Sequence, residues 1–150
     1  LHMEKQKVHQ LVLEQIQNHI DQLSFMLIQI QESSQEDSKS SAGDKHETAR
    51  AMVQIEIENI NKQLAVFIDQ RQAVLAINPS IQSTKITKGS LVQTNLAWYY
   101  FAVGLGKLMV DKKLVFVLNP QAPLGQILLG KKAGDCINFK EQDIEILSIQ

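Results

Sequence analysis

The sequence predicts an α+β protein, with an antiparallel helical hairpin over residues 1–78 and a small β-rich unit over 79–150 that includes one short helix. Three observations carry that expectation. Every Pro (Pro79, Pro120, Pro123) and every Gly except Gly43 lies beyond Asn78, so the composition changes at Asn78-Pro79. Before that point two apolar series recur at alternating spacings of three and four residues, the a/d rhythm of a coiled-coil seam. After it, short runs rich in Val, Ile and aromatic residues are punctuated by Gly and Pro, which is the pattern of strands.

The first apolar series is Leu13, Ile16, Ile20, Leu23, Leu27 and Ile30, and it predicts one helix from Glu4 to about Gln31. The second is Val53, Ile57, Ile60, Leu64, Phe67, Arg71 and Val74, predicting another from about Lys45 to Ile77, with Arg71 as the one polar break. The polar stretch from Glu32 to Gly43 has no face to bury and is expected to be the turn, placing the hairpin tip at about 32–44. Two helices with one apolar stripe each and a short connection pair antiparallel, because that buries both stripes together. About 28 residues at 1.5 Å each make an arm of roughly 40 Å. Leu11, Val12, Phe25, Met26 and Ile28 lie off the seam and are left to pack on the β-rich unit or on a second chain; a monomer is the favoured expectation.

In the second half strands are expected at 90–94, 97–103, 113–118, 136–139 and 143–149. The segment 123–129 is expected to form a short helix, with Pro123 in its first turn and Gly130 placed to end it. The glycines of Gly104-Leu-Gly106-Lys107 are too closely spaced for a phosphate loop or a dinucleotide fingerprint, so a hairpin turn between two strands is expected there.

Charge and composition narrow the function classes. The chain has 15 Lys and Arg against 16 Asp and Glu, yet residues 1–78 carry 7 basic and 11 acidic side chains, net −4, while 79–150 carry 8 and 5, net +3. A weakly acidic half does not suit wrapping of nucleic acid, which needs clustered cations to displace counterions, so a protein partner is expected. The single Cys136 excludes an intramolecular disulfide, and no Cys/His spacing fits structural zinc. No apolar run approaches the roughly 20 residues of a membrane span. Leu1-His2-Met3 reads as a remnant before a start methionine, and no leader pattern follows Glu4, so a cytoplasmic protein is expected.

Few residues can carry chemistry. Cys136 has no His in its half of the chain to activate it and is expected in the core of its strand. His9 and His19 are expected as ordinary surface or seam residues of the first helix. Trp98, Tyr99 and Tyr100 alternate across a strand, which assigns them to the core or to a docking face rather than to a catalytic pocket. The tip is more informative. Asp44 and Glu47 stand three residues apart where the second helix opens, on one helical face. They can form a capping box, with Asp44 as N-cap and Glu47 at N3. They can equally present oxygen ligands to Mg2+, weakly unless a partner supplies further ligands. A capping carboxylate keeps acceptor capacity, so both roles can hold together.

These residues together resemble the Gre family of bacterial transcript-cleavage and elongation factors. The order of a long helical hairpin before a small β unit is similar, and so is Gly43-Asp44-x-x-Glu47 at the tip. The most specific likeness is Asn119-Pro-Gln-Ala-Pro-Leu-Gly-Gln-Ile-Leu-Leu-Gly-Lys-Lys-Ala-Gly-Asp135, which resembles the family's C-terminal signature. The resemblance runs through nearly the whole chain from Glu4. It implies an FKBP-like head that docks on the rim of RNA polymerase, without prolyl isomerase activity, and a coiled-coil arm that enters the polymerase's secondary channel. It further implies that Asp44 and Glu47 hold a second magnesium ion there, so that the polymerase's own centre hydrolyses backtracked nascent RNA. The sequence departs from the family pattern after the second acid: Thr48-Ala49-Arg50-Ala51 stands where the family has Asn-Ala-acid-Tyr. That departure keeps an alternative in view, a non-cleaving relative that occupies the channel or binds another enzyme. Glu36 and Asp37 are further acids near the tip.

Overall fold

The computed structural model describes residues 2–40 and 44–150; the side chains of 36–40, 44 and 46 lie outside that description. Its elements run α1 (Lys5–Ser40), α2 (Asp44–Leu75), β1 (Leu91–Thr94), β2 (Trp98–Phe101), β3 (Gly106–Val110), β4 (Lys113–Leu118), α3 (Pro123–Leu128), β5 (Cys136–Phe139) and β6 (Gln142–Ile149). The chain is α+β: two long helices, then a mixed six-stranded sheet with one short helix. The chain folds into two compact units, Ile16–Arg71 on the one hand and Leu1–Gln15 with Gln72–Gln150 on the other.

In the unit Ile16–Arg71 the helices lie side by side and antiparallel. Arg71 Nη1 donates to Gln17 Oε1 at 2.8 Å, and the His19 ring stacks on Phe67 at 4.6 Å between centroids. Further along, Met26 and Ile30 line the same groove as Val53 and Glu56. As the number on α1 rises its neighbour on α2 falls, as antiparallel pairing requires. The inward positions are those of the predicted seam: Ile16, Ile20, Leu23 and Ile60 are buried, and Leu27, Ile30, Val53, Ile57, Leu64 and Phe67 are half-buried. The stretch from Glu32, expected to be the turn, is instead helical as far as Ser40. Its Gln, Glu, Ser and Lys residues tolerate a helix, and neither Gly nor Pro interrupts them. The expected turn residues Ser41 to Gly43 lie outside the described residues.

The second unit is built on the sheet, in the order β3-β4-β2-β1-β6-β5. Only β2 and β4 run parallel; the other neighbouring pairs are antiparallel. β3 was not anticipated as a strand, and the expected hairpin turn at Gly104-Leu-Gly106 is corrected. This segment leaves β2 and passes over β4 to reach β3 at the far edge, so the strands it joins are not neighbours. The two-residue hairpin loops are Asp111-Lys112, between β3 and β4, and Lys140-Glu141, between β5 and β6. Both residues of each loop have positive φ, between 50° and 66°, the backbone of a type I′ turn whose twist matches the flanking strands.

Strand alternation gives the sheet two covered faces. One face buries Val92, Tyr99, Phe101 and Ile146 with Leu128 of α3, with Phe116, Leu118 and Leu124 packed against them. The other carries Leu91, Tyr100, Val115 and Val117, and the first turns of α1 lie on it, with Val8 and Val12 fully buried. All four residues of β2 are therefore buried. Cys136, expected in the core, is exposed. It begins the edge strand β5, whose alternation turns Ile137 and Phe139 inward and leaves Cys136 and Asn138 outside.

The stretch from Asn119 to Asp135 is one structural device. Asn119 Oδ1 accepts from the Gln121 amide at 2.9 Å, and Pro123 sits in the first turn of α3, where no N–H is needed. Gly125 lets that turn close on the chain, since a Cβ there would stand 2.6 Å from Pro120 O and 2.7 Å from Asn119 O. Gly130 and Gly134 take positive φ, 82° and 93°, to end the helix and to turn into β5. Asp135 Oδ2 accepts from the Lys132 amide at 2.8 Å and closes the turn.

Candidate functional site

Two places present functional groups, the hairpin tip and a cleft in the sheet unit. At the tip α2 starts at Asp44, and Glu47 follows within its first turn. A spacing of three residues sets their Cβ atoms on the same side of the helix, one above the other. Glu47 is exposed. The side chain of Asp44 lies outside the described residues, as do those of Glu36 and Asp37. A carboxylate can accept hydrogen bonds or ligate a hard cation. Two of them supply a minority of the six ligands of Mg2+, which fits an ion completed by waters and a partner's oxygens rather than an ion resident in the free chain. Arg50, three residues beyond Glu47, is also exposed.

The cleft lies on the α3 side of the sheet, with a volume of about 430 Å³. Tyr99, Phe116 and Leu118 form its floor, Pro123 and Leu124 one wall, and Phe139 with Lys140 the other. Nearly all of this lining is apolar, and Tyr99 and Lys140 are the lining residues with polar side-chain groups. Burial raises the Tyr99 hydroxyl above its ordinary pKa, so it stays a neutral donor. Such a concavity suits an inserted apolar side chain and offers no nucleophile–base pair. Reasoning from sequence assigned β2 to core or docking face without finding this cleft. Its walls come from segments up to 41 positions apart, Tyr99 and Lys140, and only chain topology brings them together.

His9 was also underestimated. It is buried, with Nδ1 2.7 Å from the Tyr100 hydroxyl of β2. A His continuing an apolar series one turn before Val12 and Leu13 was the available signal. His19, off the a/d series and expected as a surface or seam residue, is half-buried and stacks on Phe67. Among the described residues no cluster of three or more His, Cys, Asp or Glu could hold a metal, and no helix is long and apolar enough to cross a membrane.

Comparison with protein-family models and with curated proteins finds nothing that matches this chain. Its class is therefore defined by architecture: a two-helix hairpin bearing acids where its second helix opens, joined to a mixed six-stranded sheet with an apolar cleft.

Proposed function

We propose that this chain is a Gre-type factor of bacterial RNA polymerase, working in the cytoplasm as a monomer. Its coiled-coil arm enters the polymerase's secondary channel and promotes cleavage of backtracked nascent RNA. The observation that carries this is the placement of Asp44 and Glu47 at the opening of α2, at the far end of a 36-residue helix that pairs antiparallel with it. The part of α1 that lies in the hairpin unit, from Ile16 to Ser40, is about 38 Å long at 1.5 Å per residue, enough to deliver a side chain into a partner's channel. The β-rich unit, read as an FKBP-like head, docks on the polymerase, and its cleft between Phe116, Leu124 and Phe139 receives an apolar side chain of the rim. Asp44 and Glu47 together contribute oxygen ligands to a magnesium ion shared with the polymerase's centre. When bound, that ion supplies an activated water and charge stabilisation for in-line phosphodiester hydrolysis. The chain alone is no enzyme in this account; the polymerase performs the hydrolysis.

Arg50 favours a second account, a non-cleaving regulator that fills the same channel or binds another enzyme. A cation one turn from Glu47 competes for the carboxylate that would hold the metal.

The test adds the protein to a backtracked elongation complex with magnesium and follows RNA length and binding together. Shortening of the RNA is expected, and Asp44→Asn with Glu47→Gln is expected to abolish it while binding persists. Binding without shortening by the unaltered chain would establish the regulator instead. Absence of binding would overturn the Gre-type reading and the channel-filling regulator alike, leaving only a factor that binds another enzyme.

A further inference from the structure

The first two turns of α1 carry two basic side chains, Lys5 and His9, into the interior of the sheet unit. They are 4% and 7% exposed. A spacing of four residues sets them on one helical face. Lys5 Nζ donates to the carbonyl of Ile81, in the segment leading from α2 to β1. His9 Nδ1 meets the Tyr100 hydroxyl at 2.7 Å, with the rings edge to face at 6.1 Å.

The groups facing His9 are Lys5 from its own helix and Tyr100 from β2, and the segment after α2 brings a backbone carbonyl to Lys5. Among the described residues the only ion pair is Lys7 with Asp111, so no carboxylate pairs with His9 or Lys5. A neutral imidazole suits this site in either tautomer, since the tyrosine hydroxyl can donate to Nδ1 or accept from it. An imidazolium does not. It forces the hydroxyl to accept, and it sets a second buried positive charge one turn from Lys5, whose ammonium meets only the Ile81 carbonyl and no carboxylate.

We propose that His9 is an acid-sensitive latch: its protonation releases the first turns of α1 from the β2 face of the sheet. Burial, and then the charge of Lys5, hold the imidazole below its ordinary pKa of 6.5. The unfolded chain therefore binds more protons than the native one below that value. The stability contributed is fully present above about pH 6.5 and is lost as pH falls through the window between 6.5 and the lower native value. The latch is independent of the polymerase proposal, since it lies within one unit and needs no partner.

The test is NMR titration of the full chain with amide hydrogen exchange of residues 8–15, corrected for intrinsic rate, at about pH 7.5 and about pH 5. His9 is expected to titrate below the ordinary histidine value of 6.5. Protection of these amides is expected to fall about tenfold for each pH unit between its pKa and that value once both are crossed. His9→Asn keeps an acceptor near the Nδ1 position without a titrating group and is expected to remove the loss. Lys5→Met is the second variant, and it is expected to raise the His9 pKa toward 6.5. Titration of His9 at or above 6.5 overturns the latch, as does an equal loss of protection in His9→Asn. An unmoved His9 pKa in Lys5→Met overturns the part assigned to Lys5.

Discussion

Single residues here act mainly through space and backbone angle. Gly125 has ordinary backbone angles, and its role is purely steric, because Pro120 O and Asn119 O occupy the place of a Cβ. Both are backbone atoms held by the Asn119 turn and cannot swing aside as a flexible side chain would. Gly125→Ala is therefore expected to cost about 1–3 kcal/mol, as overpacking does, read from the urea midpoint at constant slope. The glycines at 130 and 134 serve a different need, positive φ, and have open space where a Cβ would go. Sequence spacing identified Gly130 as a helix stop. It could not distinguish the steric glycine from the conformational ones, because that depends on what approaches from Pro120.

At the scale of elements, each hairpin closes with two non-glycine residues in the left-handed region, Asp111-Lys112 and Lys140-Glu141. L residues pay about 1–2 kcal/mol there, although glycine has its own entropic cost in the unfolded chain. Glu141, at φ 66°, is exposed. Glu141→Gly is expected to raise stability by about 0.5 kcal/mol, seen as a higher melting temperature with unchanged β-sheet signal. These charged loops explain why the sequence concealed them. Asn-Gly or Asp-Gly announces such a turn, whereas Asp-Lys and Lys-Glu do not, and Gly104-Leu-Gly106 drew the expectation to the wrong connection. In the helices the polar break at Arg71 meets Gln17 across the seam, which pairs a donor with an acceptor and favours one register of the two helices.

For the whole molecule, the change in composition and the change in packing fall at different places. Apart from Gly43, Gly and Pro begin after Asn78, yet the sheet unit takes in both helix ends, through Gln15 and from Gln72. Val8 and Val12, with Val74 near the end of α2, are fully buried in that unit. Tyr100, beneath them in the sheet, is also fully buried. A fragment beginning at Pro79 would expose Tyr100, Leu91 and Val115. It is expected to show poor NMR dispersion and to bind hydrophobic dye, whereas residues 1–15 linked to 72–150 are expected to give a dispersed spectrum. A dispersed spectrum from the shorter fragment would show that the sheet folds without the two helix ends.

The sequence by itself determined the α+β class, the antiparallel hairpin with its seam from Ile16 to Ile30 against Val53 to Phe67, the order of most strands and the short helix at Pro123. These follow from periodicity and turn chemistry, which are local properties of neighbouring residues. The tertiary structure alone decided that β2 runs parallel to β4 and is buried on both faces, that Cys136 is outside, and that His9 reaches Tyr100. It alone gathered Tyr99, Leu124 and Phe139 around one cleft. Each of those is a meeting of residues distant in the chain, and the free energy of burying one against another depends on topology, which no local pattern encodes.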